Sequence, residues 1–186
     1  VRVIIPYAAG GGADAAARVL GLGLSKEFGQ PFVIESRTGG NTAVAAVALA
    51  NAQPDGYTIM MTGSATVSLN PLVMDKLPYD PNTDFAPIGQ VSTSPFFLIV
   101  SSELGVNSLD ELLKKSREMP GQIAYVSNGT GGAIHLGMEL LAQRAGVRWN
   151  HVPYRGFAPA MPDLLAGLCA RRAPAPADCG LHAVAG

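Results

Sequence analysis

The 186-residue sequence predicts an α/β fold, and three observations carry that prediction. An apolar N-terminal run, a glycine turn, an alanine-rich helical stretch and a second β-branched run follow one another at the length of a βαβ unit. Parallel pairing and a right-handed crossover are the default for such a unit. The same order of parts returns between "AYVSNGTGGAIHLGMELL" and "RWNHVPYRGF", although any two βαβ units share some of this by architecture. The composition, 48% hydrophobic and 15% charged, fits a packed globular chain rather than a disordered one.

In chain order, "VRVIIPY" reads as a buried strand, short and β-branched, stopped by Pro6 and the glycines. Residues 13–28 place Ala17, Leu20, Leu24 and Phe28 on one helical face, with Gly29 just past the end. "PFVIES" (31–36) is a second strand, and "NTAVAAVALANAQ" (41–53) a small-residue helix with Asn41 as its cap. "PDGYTIMMTG" is a turn into a third strand. The several prolines of residues 70–87 mark a connecting excursion without a regular element. "IGQVSTSPFFLIVSS" offers two strands broken at Ser94-Pro95, a candidate crossing point and hinge between two lobes. In "SLDELLKKSREMPG", Ser108 and Glu111 form a capping box ahead of a helix that stops at Pro120-Gly121. A strand "IAYVS", a helix "GGAIHLGMELLAQRAG", a strand "RWNHVPY" and a short helix over 158–166 complete the series. The expected division is a first lobe at 1–93, an incomplete second lobe at 94–167 and an aberrant tail at 168–186, with no strand or helix period there before "LHAVAG".

A formal net charge of -1 gives no support to nucleic acid or an anionic membrane surface as partner. No apolar run reaches the roughly 18 residues of a membrane span, so direct membrane insertion is not expected. The chain opens directly on a strand, as a mature or trimmed N-terminus would. Cys169 and Cys179 fit no metal pattern, and a disulfide and two free thiols both stay open. Catalytic constellations are poor. "TGSAT" (62–66) has Thr66 where a nucleophile elbow needs glycine, and there is no H-E-x-x-H. His135 on a helix and His151 on a strand lack an accompanying Cys or acidic pair and read as structural, while Asp110 and Glu111 sit in a capping turn. No enzyme activity, cofactor or metal is expected.

The glycines carry more information. Gly10, Gly11 and Gly12 lie where a strand hands over to a helix, and a helix N-terminus has unpaired N–H groups and partial positive charge. Absent side chains let an anion approach those donors closely. The turn has no Gly-Lys-Ser/Thr ending and lacks the last glycine of G-x-G-x-x-G, which disfavours a phosphate loop and weakens a dinucleotide reading. Asp14 would repel phosphate but can cap free N–H groups or order water. A tight turn with a capping aspartate stays open beside the anion site. Ser64, Thr66, Asn128, Thr130, Tyr154 and Arg155 all fall at predicted carboxyl ends of strands, the edge where open α/β sheets bind ligands. Hydroxyls, amides, backbone N–H groups and one arginine describe a carboxylate cradle, although Ser and Thr at strand ends also cap helices.

The stretches "IIPYAAGGGADAAARVL", "VIESRTGGN", "PDGYTIMMTGSATVSLNP", "LPYDPNTDFAPIGQV", "YVSNGTGGAIHLGMELL" and "HVPYRGFAPAMPDLLAG" resemble the Bug family, solute-binding proteins of bacterial tripartite tricarboxylate transporters. The resemblance runs almost continuously over residues 1–167. It implies a periplasmic-binding-protein-like (type II) two-lobed fold that closes on a small carboxylate without chemistry, a periplasmic location and membrane permease subunits as partners. It also implies that the loop from Tyr7 through Ala9, Gly11 and Gly12 to Asp14 holds one carboxylate through backbone groups and ordered water. Ser64 and Thr66 would add contacts from the first lobe. Asn128, Thr130 and Gly132 would meet the distal end from the second, with His135, Tyr154, Arg155 and Gly156 nearby. After Gly167 the pattern stops, and "LCARRAPAPADCGLHAVAG" reads as a truncated or frameshifted end. That departure implies a fold incomplete at the C-terminus, with a second lobe short of a strand and apolar sheet edges left open. Two alternatives stand beside this reading: a nucleotide-binding α/β enzyme, and a remnant without ligand-binding activity.

Overall fold

The computed structural model describes residues 1–156, 158–165 and 179–185. The chain forms two compact units, Val1–Thr93 and Ser94–Gly186.

The first unit is built on a parallel sheet of β1 (Arg2–Ile5), β2 (Val33–Ser36) and β3 (Thr58–Met60) in the order β2-β1-β3. Central β1 is the apolar one, with Val3, Ile4 and Ile5 at 2% exposure or less. Helix α1 (Gly12–Phe28) crosses from β1 to β2 and buries Ala17 and Gly21. A Cβ at Gly21 would come within 3.1 Å of Ile34 Cδ1, so the missing side chain lets the helix lie against β2. Helix α2 (Ala43–Ala50) links β2 to β3 through small residues, burying Ala43, Ala45 and Ala46. Its entry differs from the expected Asn41 cap. Asn41 and Thr42 both have positive φ, 47° and 75°, and no side chain caps the helix. The Asn41 amide donates instead to Asn70 Oδ1 at 2.6 Å. Residues 70–87 are also not wholly irregular. A π-helical turn, Ala65–Leu69, runs into α3 (Asn70–Val73), whose first turn accommodates Pro71.

The second unit holds a four-stranded mixed sheet ordered β4-β7-β5-β6, from β4 (Phe96–Val100), β5 (Ala124–Ser127), β6 (Asn150–Pro153) and β7 (Cys179–Ala185). Only one of the two strands expected in "IGQVSTSPFFLIVSS" forms, because residues 88–93 pair with no strand among the described residues. Ile88 there is 84% exposed. Helix α4 (Leu109–Glu118) is capped by Ser108, whose Oγ accepts from Glu111 N at 3.2 Å. The box closes one residue early, since Glu111 Oε2 accepts from Asn107 N rather than Ser108 N. Helix α5 (Ala133–Ala145) follows β5, and α6 (Met161–Leu165) starts later than the expected residue 158. One core gathers Leu104, Leu112, Ile123, Tyr125, Ile134 and Met138, and a second gathers Ala124, Val126, Val152, Tyr154, Ala160 and Leu164.

Strand β7 is a regular element within the stretch expected to be an aberrant tail. It lies inside the sheet, antiparallel to β4 and parallel to β5. Ala124 opposes Cys179 and Tyr125 opposes Leu181, so Gly180 is the extra residue of a bulge. A short apolar run can be recognised as strand-like from sequence, but its place between two distant strands cannot. Cys169 and the pairing of the two cysteines lie outside the described residues.

Candidate functional site

In the first unit the loops at the carboxyl edge of the sheet follow β1, β2 and β3. Gly10 turns the first loop with φ of 85°, a conformation that other residues adopt at a cost. Its N–H donates to Asp14 Oδ2 at 2.9 Å, and Ala15 N reaches Gly11 O at 3.0 Å. The N–H groups of Gly12, Ala13 and Asp14 lie between these two bonds with no intrahelical acceptor. Gly11 caps α1 from an extended conformation, while Ala9 and Gly12 are exposed. Asp14 is buried, and its Oδ2 also accepts from Arg18 Nε at 3.0 Å. The Arg18 hydrogen bond, then the Gly10 amide, hold its carboxyl below the usual carboxylate range against the opposing effect of burial. Asp14 thus closes the loop and spends one of its donors. Its Oδ1 has no partner among the described residues.

Tyr7 leans the same loop against the one after β3. Gly63 and Thr62 beside its hydroxyl lower its pKa, while burial, the larger effect, raises it. A Cβ on Gly63 would come within 3.2 Å of that hydroxyl, so a side chain there would crowd the contact. Ser64 is exposed beside it. Thr66 is different: at 1% exposure its hydroxyl pairs with Thr62 Oγ1 at 2.5 Å and donates to Thr42 Oγ1 at 2.8 Å. The expected contact from the Thr66 hydroxyl is therefore replaced by a structural one. Asn70 extends the network to the backbone oxygen of Asn41 at 2.7 Å and to Tyr79 Oη at 2.9 Å, and Tyr79 donates to Thr66 O at 2.6 Å. The roles of Asn41, Thr42, Thr62, Asn70 and Tyr79 in this network were not legible in the sequence. The available signal was an asparagine between Leu69 and Pro71, too polar for the apolar run around it.

In the second unit the loops after β5 and β6 hold the remaining candidates. Thr130 and Arg155 are exposed and Asn128 is half-buried. Gly132 caps α5, and Gly156 is buried after β6. Tyr154 is 9% exposed, and its hydroxyl donates to Asp163 Oδ2 at 2.7 Å. That bond ties the β6 loop to α6.

Beneath the β5 loop lies a cluster that the sequence reading treated as two unrelated histidines. The His135 and His151 rings stack with centroids 4.0 Å apart, and Tyr125 stacks on His151 at 4.9 Å. An acidic residue does join them: Tyr125 Oη donates to Glu139 Oε1 at 2.6 Å. Burial, then the neighbouring His135, push the His151 pKa down to about 4, and Glu139 offsets part of this. His151 Nε2 is 2.7 Å from Ser127 Oγ. The pairing was hidden because a helix residue and a strand residue sixteen positions apart meet only once α5 packs on the sheet.

The donors and acceptors in these loops suit binding and orientation. Among the described residues no cluster of His, Cys, Asp and Glu is suited to a metal ion.

Solved structures define the class. The periplasmic binding protein BugD matches with a TM-score of 0.87 at 31% identity, over 100% of this chain and 58% of that one. An R. palustris protein solved with adipate matches at 0.89 and 32%, also over 100% and 58%. MatC from Rhodopseudomonas palustris, with bound malate, matches at 0.82 and 26%, over 100% and 60%. The fold is that of the periplasmic binding proteins. Residues 16–175 match the tripartite tricarboxylate transporter family receptor, TctC, and the chain belongs to that family. The match continues beyond residue 167, where the sequence resemblance was expected to end.

Among curated relatives, a protein encoded in the tcbD-tcbE intergenic region of Pseudomonas sp. (strain P51) is 37% identical over 164 residues, 88% of this chain and 48% of the relative. Protein BugT of Bordetella pertussis is 34% identical over 171 residues, 91% and 52%. The chain therefore spans about half the length of the curated relatives it matches.

Proposed function

We propose that the chain works in the periplasm as a receptor that captures a small organic carboxylate and presents it to the permease subunits of a tripartite tricarboxylate transporter. The ligand class covers di- and tricarboxylates, acidic amino acids and aromatic acids, and no bond is made or broken. One observation carries the reading: the loop after β1 leaves the N–H groups of Gly12, Ala13 and Asp14 open at the start of a 17-residue helix. Such an end attracts an anion by about 0.3–1 kcal/mol when exposed and up to about 2 when partly buried. Tyr7, Ala9 and Ser64 border it, and the Asn128–Gly132 turn is its counterpart in the second unit. The adipate and malate held by two structural relatives support a carboxylate ligand.

The test is a series of thermal melts with adipate, malate, citrate, aspartate, benzoate and ATP, with calorimetry on any hit. A ligand selective for the folded state at a hundredfold excess over Kd adds about 2.7 kcal/mol of stability. An upward shift with one carboxylate class is expected. A shift with ATP alone would overturn the reading in favour of a nucleotide site, and so would a cooperative melt that no carboxylate moves.

A further inference from the structure

The Asn128–Gly132 turn is held from below by two side-chain acceptors. Ser127 Oγ accepts from Gly129 N at 3.2 Å, and His135 Nδ1 accepts from Gly131 N at 3.0 Å. Gly131 sits at φ of 80°, a conformation open to glycine, and its N–H is directed to the His135 ring. An imidazole nitrogen accepts only when it carries no proton, so the Gly131 bond fixes His135 as the neutral tautomer with its proton on Nε2. The 4.0 Å stack places His151 on the His135 face, and His151 in turn reaches Ser127 Oγ. Both acceptors of the turn thus belong to one connected cluster, and two stacked imidazoles in contact oppose each other's charge.

We propose that His135 is a positioning residue: its neutral ring holds the Asn128–Gly132 turn in its binding shape through the Gly131 amide, and protonation at Nδ1 releases the turn and weakens ligand binding. The consequence for ligand rests on the carboxylate-receptor reading above; the consequence for the turn does not. Other titratable groups stand on the elements packed around the ring. On α5 itself Glu139 binds the Tyr125 hydroxyl, β5 supplies Tyr125 and β6 supplies His151. Strand β7 also carries Cys179 and His182 in the same sheet. A positively charged His135 turns its Nδ1 from acceptor to donor, facing the Gly131 N–H.

The test combines nitrogen-15 NMR of the intact chain with calorimetric titration of adipate and malate at neutral and mildly acidic pH. The wild type should show the Nε2–H tautomer at His135 and a slowly exchanging Gly131 amide that loses protection on acidification. A proton on Nδ1 at neutral pH would overturn the proposal without any variant. His135→Phe keeps a ring in the stack but has no acceptor, so Gly131 should exchange faster at every pH and binding should weaken about tenfold. His135→Asn puts an untitratable oxygen near the position of Nδ1. It should recover most of the affinity and Gly131 protection that Phe loses, and should lack the acid loss. An Asn variant that keeps the wild-type acid loss, or a Phe variant with unchanged Gly131 exchange, would overturn the proposal. If no carboxylate binds the wild type, the receptor reading fails while the tautomer and the Gly131 amide still decide the role of His135.

Discussion

At Asn70 a fully buried amide ties together three segments that are far apart in the chain. Its Nδ2 lies 2.7 Å from Asn41 O, 2.9 Å from Tyr79 Oη and 3.3 Å from Thr42 Oγ1, and its Oδ1 accepts from Asn41 Nδ2. The left-handed conformations of Asn41 and Thr42 persist because this amide and the Thr66 hydroxyl hold them. Asn70→Ala would strand several buried donors and acceptors at once, for an expected loss of about 2–4 kcal/mol. Urea denaturation checks this, and a loss below about 1 kcal/mol would mean that the network is replaced by water. Asp14 makes a pH-dependent contribution. Its folded pKa lies below the ordinary value, so the unfolded state binds the proton more readily and stability falls with falling pH. The contribution is present above the unfolded value of about 3.9 and is lost as pH falls through the folded value. Asp14→Asn should therefore destabilise near neutrality, with the gap to wild type closing in acid. A gap of constant size in urea titrations from about pH 7 to 3 would remove the charge of Asp14 from the explanation.

Among the elements, α4 has its start set by a side chain. Ser108 accepts from Glu111 N, and Glu111 returns a bond to Asn107 N. Ser108→Ala should cost about 1 kcal/mol, read from the urea midpoint with an unchanged slope. A neutral result would place the start of α4 under the control of Leu112 packing instead. This helix was legible because its signals are local: a cap, an apolar stripe and Pro120-Gly121 at its end. Strands β1 and β5 were legible for the same reason, as short apolar runs before glycine turns. The start of α2 was not. Thr42 is β-branched and disfavours φ of 75°, so no local preference announces it, and the distant partners Thr66 and Asn70 explain it. The site divides similarly. Glycines and polar residues at strand ends could be picked out by position, but burial decides what they do. Ser64 and Thr66 look alike in "TGSAT", yet one is exposed and the other is sealed into the network. His135 and His151 are an extreme case, since their contact exists only in the packed unit.

For the molecule as a whole, the telling element is β7. The second sheet is continuous only because Cys179–Ala185 occupies the position between β4 and β5, pairing along both sides. An inner strand donates and accepts along both edges, so proline there removes a ladder bond and clashes with the pairing. Leu181 is the sharpest position, opposite Val100 on one side and Tyr125 on the other. Leu181→Pro should destabilise the second unit by about 3 kcal/mol or more. Hydrogen exchange should then show lost protection in β4 and β5, with β1 and β2 unchanged, because the first unit has its own sheet and core. Equal loss in β1 and β2 would mean that the two units unfold as one cooperative body. Unchanged protection in β5 would mean that β5 and β6, with α5 packed against them, form a stable sheet without β7. The outcome bears on binding as well. Tyr125 opposes Leu181 and stacks on His151, so a disordered β7 would loosen the cluster that holds the Gly131 amide. The Leu181→Pro chain should therefore lose Gly131 protection while the Gly10 amide, fixed by Asp14 in the first unit, keeps its own.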